Sequence, residues 1–190
     1  VKNSLILFMG FVLALSISGG AFGKDKGGGK RYIFSLVGTA TGELQEVPDP
    51  DNPGELMEAN CFEFDLFEVK TRRELGTVVD CQTIQDVLGD FEFIRVVTTT
   101  TFNLPQGSIT TQGLTTVAAL QDGWPGVASP VVGPMTHFSA YYGEGSVVIG
   151  GTKRFKNATG ISRLSGLANL DNMFTGNELT ADCIFVVDID

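Results

Sequence analysis

Through most of the chain beyond residue 31, apolar and polar side chains alternate with a period of two, which predicts strands. From Asn60 to Lys70, Phe62, Phe64 and Leu66 point one way and Glu63 and Asp65 the other. The same parity puts Glu68 on the Phe/Leu face. From Glu178 to Asp190, Leu179, Ala181, Cys183, Phe185, Val187 and Ile189 share a face opposite Thr180, Asp182 and Asp188. Leu75 to Ile84 divides Val79 and Cys81 from Asp80 and Gln82. Phe91 to Phe102 sets Phe91, Phe93, Arg95 and Val97 on one side. Ser108 to Ala118 groups Ile109, Thr111, Gly113, Thr115 and Val117. Thr136 to Ile149 sets Phe138, Ala140 and Tyr142 against His137, Ser139 and Tyr141. With Tyr32–Gly42 and Gly160–Asn169 this makes about eight strands, the number at which side chains fill a barrel or leave room for one small ligand.

Between the strands the sequence predicts loops. Glu43 to Glu58 holds Pro48, Pro50 and Pro53, which keep a segment out of a sheet interior. Its carboxylates include an Asp-x-Asp spacing at Asp49 and Asp51. The wider spacing of a calcium loop is missing, so a solvated acidic loop is the reading. Leu120 to Met135 is a second loop, with the single tryptophan, Trp124. No sustained helical spacing occurs in the same region. The expected fold class is all-β, a sandwich or a single antiparallel barrel.

The N-terminus departs from this pattern. Lys2, an apolar run from Leu5 to Ile17 and small residues at Ala21 and Gly23 fit a secretory signal over residues 1–23. Residues 24–31 are glycine-rich and basic and read as a flexible arm. The barrel domain then occupies residues 32–190, and the expected location is secreted or periplasmic. The net charge is −9, or −10 once Lys2 leaves with the leader. An acidic chain argues against nucleic acid as a partner. After cleavage no membrane partner is expected.

Cys61, Cys81 and Cys183 form an odd set. Either Cys61 and Cys81 bridge a hairpin after export, or all three are free core thiols. His137 is the only histidine, and no Cys-x-x-Cys accompanies it, so neither a metal nor a cofactor is expected. There is no Gly-x-Ser-x-Gly elbow. Asn157-Ala158-Thr159 matches a glycosylation sequon formally but reads as turn chemistry.

The stretch from Val147 to Gly166 organises the rest. A β-branched run enters Gly150-Gly151-Thr152, a polar turn holds one aromatic, Phe155, and a second strand leaves from Gly160. The glycines mark a turn or bulge, and Phe155 reads as a plug closing one end of a curled sheet. This corner resembles the Gly-Gly-(Thr/Ser)-Gly-x-Phe-x-x-Ala-x-Gly segment of the allene oxide cyclase-like and dirigent-like β-barrels, with Lys153 in place of the third glycine. A valine at position 1 is in keeping with a bacterial start codon. Together with the leader, the resemblance implies an exported bacterial member of that calycin-like fold.

Barrels of that kind bind apolar small molecules in the lumen. Some cyclise them, and dirigent proteins steer a coupling. In the plant cyclases a glutamate in a Tyr-Glu-Ile-Asn context assists the reaction, and Phe67-Glu68-Val69-Lys70 aligns with it. The resemblance therefore implies Glu68 as acid or base, and an isomerase or cyclase if the protein is an enzyme. A carboxylate among aromatics has a raised pKa, which suits that role. Phe62, Phe64, Phe93 and Tyr142 are the expected lumen walls. Arg95 is expected beside them, paired with Glu68 or reaching solvent. The expected function is an apolar-ligand-binding barrel that promotes cyclisation or coupling. The alternative is a non-catalytic carrier or interaction protein whose lumen is filled by its own side chains. Relatives in fold often form dimers or trimers, so a homo-oligomer is compatible.

Overall fold

The computed structural model describes residues 29–88, 93–120, 127–173 and 175–190. Among the described residues twelve strands run in order: β1 (Lys30–Thr41), β2 (Glu43–Pro48), β3 (Leu56–Glu68), β4 (Glu74–Leu88), β5 (Phe93–Leu104) and β6 (Gly107–Ala119), then β7 (Ala128–Ser129), β8 (Gly133–Pro134), β9 (His137–Tyr141), β10 (Ser146–Gly151), β11 (Gly160–Asn169) and β12 (Glu178–Ile189). A single 3-10 turn, Lys153–Phe155, is the only helix among the described residues.

The sheet runs β1-β12-β11-β10-β6-β5-β4-β3, and β1 pairs back onto β3 through Phe34–Glu68 and Leu36–Leu66. That last pairing closes an eight-stranded antiparallel barrel, in which β9 and β10 together occupy one strand position between β6 and β11. Closure leaves no barrel edge unpaired, which suits a sheet rich in Val, Ile, Phe and Thr.

The Glu43–Glu58 segment is not a loop throughout. Glu43–Pro48 forms β2, an edge strand paired with Leu56–Cys61. Pro48 is its last residue, where a missing N–H costs nothing. The carbonyl of Pro48 accepts from Nε2 of Gln112, so this hairpin lies against the outside of β6. Beneath it Val47, Ala59, Cys61 and Cys81 make a small outer core. Cys61 and Cys81 face each other across β3 and β4 and form a disulfide, while Cys183 is free and buried.

Inside the barrel the even residues of β1, β3, β4 and β5 meet the odd residues of β6 and β12. Phe62, Phe102, Phe185, Leu66, Ile109 and Val78 are fully buried there. The outer face is mixed: Glu63, Asp65 and Arg163 are exposed there, and so are Ile33, Ile149 and Ile184.

Phe155 plugs one end, only 3% exposed. Its ring meets Tyr32 edge-on at 5.9 Å, and an aromatic column continues through Phe34, Phe102 and Phe185 at 5.1–5.9 Å spacings. The glycine corner carries a bulge between Val148 and Gly150, although neither Gly150 nor Gly151 has a positive φ. A Cβ on Gly151 would lie 2.4 Å from the Phe155 carbonyl oxygen, so Gly151 is there for close approach. Gly160 does have a positive φ, 144°, and a Cβ there would meet the Asp188 carbonyl at 2.0 Å. Lys153 adopts φ 47°, a left-handed conformation that glycine takes more easily.

Candidate ligand site at the mouth of the barrel

The end opposite Phe155 is the mouth. Its wall is built by the last residues of β11, the first of β12 and the segment holding Leu170 and Met173. Below it the lumen is not completely filled. A cavity of about 50 Å³ is lined by Leu36, Phe64, Ile94, Val117, Ala168 and Ala181, among others. Polar groups enter it from one side: Asp80, Gln82 and Ser139, with Cys183 nearby.

Asp80 is 6% exposed and sits opposite Phe62 on β3 and Thr100 on β5. Gln82 Nε2 donates to its Oδ2 at 2.8 Å, and Thr100 Oγ1 donates to its Oδ1 at 2.7 Å. Thr100 also touches the Tyr141 hydroxyl at 3.0 Å. Burial drives the Asp80 pKa upward, and the two hydrogen bonds oppose this only in part. Burial, reinforced by Asp80, also raises Tyr141 far above an ordinary phenol. The Cys183 thiol is pushed up to about 12 by burial first and then by Asp80 and Asp182, so it is inert as a nucleophile.

A belt of hydroxyls continues around the wall. Thr98 donates to Thr115 at 2.8 Å. Thr111, Ser146 and Ser162 are fully buried, and their hydroxyl oxygens have no hydrogen-bond partner among the described residues. From plug to mouth the lumen therefore passes from an aromatic column to a polar belt and then to an apolar cavity.

The residues expected to carry the site divide. Phe62 and Phe64 are lumen walls, and Phe64 lines the cavity. Glu68 lies at the plug end, its side chain 39% exposed, bonded to Thr71 at 2.5 Å and 3.9 Å from Arg73. It borders an open groove of about 520 Å³ at the plug end, with Tyr32, Phe34 and Arg73, rather than the lumen cavity, and it pairs with Arg73, not Arg95. Phe93 and Arg95 do share a face, but it is the outer one: Phe93 is 46% exposed and Arg95 pairs with Asp86. Tyr142 is 64% exposed, and its neighbour Tyr141 is the inward residue. Alternation sorts residues into two faces without saying which is inside, and in β5 and β9 the assumed side was the wrong one. Phe91 and Trp124 lie outside the described residues, as does the leader over residues 1–23.

Asp80 was overlooked because it reads as the polar side of an amphipathic strand. A usable signal was nevertheless present. Cys61 lies on the face opposite Phe62, so a Cys61–Cys81 bridge requires Cys81 to face outward and Asp80 inward.

The acidic loop uses its carboxylates locally. Asp49 accepts from the backbone of Asp51 at 2.8 Å and from the Asn52 side chain at 2.9 Å. Among the described residues no group of three or more His, Cys, Asp or Glu side chains converges as a metal site would. His137 is half-buried, with Nδ1 2.7 Å from Thr136 Oγ1.

The fold and site define a class: a closed eight-stranded barrel with a plugged end, a lumen that is aromatic, then hydroxyl-lined, then apolar, and, among the described residues, one buried carboxyl group. No protein-family model matches the chain, and no curated protein matches it.

Proposed function

We propose that the protein is an exported small-molecule-binding barrel of the allene oxide cyclase-like and dirigent-like kind, with its site at the mouth. The observation that carries this reading is the cavity beside Asp80. It adjoins an outer groove of about 340 Å³, and the two share Gln82, Ile84, Val96 and Met173. The cavity alone is far below the ~300 Å³ of a typical ligand pocket. Cavity and groove together suit an elongated apolar molecule. Its one hydrogen-bonding head would reach Asp80 and Gln82, and its body would lie along Ile84 and Met173. A carboxyl group held neutral can donate to a ligand oxygen without a buried charge.

Export is supported by the leader-like N-terminus and by a disulfide, which persists in oxidising compartments. The plug corner keeps the Phe, Ala and Gly spacing of the resemblance, and its one departure, Lys153, has the backbone conformation that a glycine would favour.

A catalytic form of this reading moves the acid from Glu68 to Asp80. Glu68 is at the wrong end of the barrel, whereas Asp80 touches the cavity. The self-filled alternative draws its support from the aromatic column of Phe34, Phe102 and Phe185, which packs the core toward the plug end.

Mass spectrometry of the natively purified protein tests the proposal. One apolar molecule per barrel is expected, retained less well by Asp80→Leu, which removes the hydrogen-bonding head's partner. A protein that purifies empty and takes up no apolar probe would return the reading to a self-filled barrel.

A further inference from the structure

Charge is divided between the two ends of the barrel. Ten lysines and arginines occur among the described residues, and all but Arg95 sit at or near the plug end. Lys30 and Arg31 open β1. Lys70, Arg72 and Arg73 occupy the turn from β3 to β4. Lys153, Arg154 and Lys156 form the corner between β10 and β11, and Arg163 follows in the first turns of β11. Five carboxylates share that end: Asp65, Glu68, Glu74, Asp188 and Asp190. They neutralise few of the cations. Asp188 is shared by Arg31 and Arg163, and Glu68 meets Arg73. Lys30, Lys70, Arg72, Lys153, Arg154 and Lys156 form no ion pair among the described residues. The chain's total charge therefore misrepresents this surface. The excess acid belongs to the rest of the molecule, with Glu46, Asp49, Asp51, Glu55 and Glu58 on the β2–β3 hairpin.

We infer that the plug end docks on an anionic lipid surface. The cations come from two turns and the start of β1, spread along the rim from β10 to β4. Lys30, Lys153, Arg154 and Lys156 border one open groove of about 300 Å³, while Lys70 and Arg72 lie beyond it, so the set extends past one phosphate and suits a plane of charge. Chain connectivity points the same way. β1 begins at this end, and the sequence leading into it carries Lys24 and Lys26 and, before them, the apolar run Leu5–Ile17. On the export reading proposed above, the basic end is the end at which the leader joins the barrel. Docked this way, the barrel holds its mouth away from the bilayer. Attraction of this kind is peripheral and reversible, about fivefold per basic residue, and screened beyond about 8 Å at physiological salt.

The test is co-sedimentation of the protein, as recovered after export, with vesicles of phosphatidylglycerol in phosphatidylcholine or of phosphatidylcholine alone. Binding to the anionic vesicles at low salt, lost at high salt and absent from the neutral ones, is expected. K153E/R154E/K156E should weaken it about 100-fold or more, and K70E/R72E, on another part of the rim, should weaken it too if the first variant fails to fold. No binding to anionic vesicles, binding unchanged in both variants, or salt-insensitive binding to neutral vesicles would overturn the inference. Tighter binding to single-stranded DNA than to the anionic vesicles would overturn the choice of lipid.

Discussion

Asp80 is where the physical tension of this lumen is concentrated. Its pKa is raised by burial from an ordinary value of 3.8, so the folded state holds a proton that the unfolded chain gives up. Its contribution to stability is full below about pH 4 and declines as pH rises toward the native titration, with a limiting slope of about 1.4 kcal/mol per pH unit. Asp80→Asn removes that titration and keeps the shape. The variant should therefore be more stable than the parent at neutral pH, and the difference should close below about pH 4, as urea unfolding across pH will show. Lys153 is a second residue under constraint. Its left-handed backbone makes Lys153→Gly a stabilising change of about 0.5–1 kcal/mol, read from the urea midpoint.

At the scale of elements, the corner from β10 to β11 closes the barrel by inserting one ring. Phe155 packs on Tyr32 and belongs to the main core. Phe155→Ala should cost about 3–5 kcal/mol of stability, measured by chemical unfolding. Much of this level was legible in the sequence. The inward sets of β3, β6 and β12 and the antiparallel all-β class follow from period-two patterning, and the barrel with its Phe155 plug from the glycine corner and the resemblance it carries. What was not legible has a common physical cause. A strand with apolar groups on both faces gives no sign of which face is inside, and in β5 the threonines Thr98 and Thr100 line the lumen while Phe93 and Arg95 lie outside. The β2 strand was hidden by prolines that an edge strand tolerates at its end.

For the whole molecule, the barrel is asymmetric along its axis in both packing and charge. The plug end is aromatic inside and basic outside, and the mouth end keeps the cavity and lies among the acidic segments. The candidate site was misplaced in sequence because Glu68 ends β3 whereas Asp80 sits near the middle of β4. Their separation depends on register, which pairs Phe62 with Asp80 and sends Glu68 to the rim.

The central claim is that the mouth cavity beside Asp80 takes an apolar molecule. Uptake of the fluorescent probe N-phenyl-1-naphthylamine by the delipidated protein tests it most directly, with Ala168→Leu as the cavity-filling variant. Saturable uptake near one probe per barrel, abolished in Ala168→Leu while its melting temperature is kept, is the result this account predicts. Uptake that Ala168→Leu leaves unchanged, or no uptake by the parent protein, would contradict it.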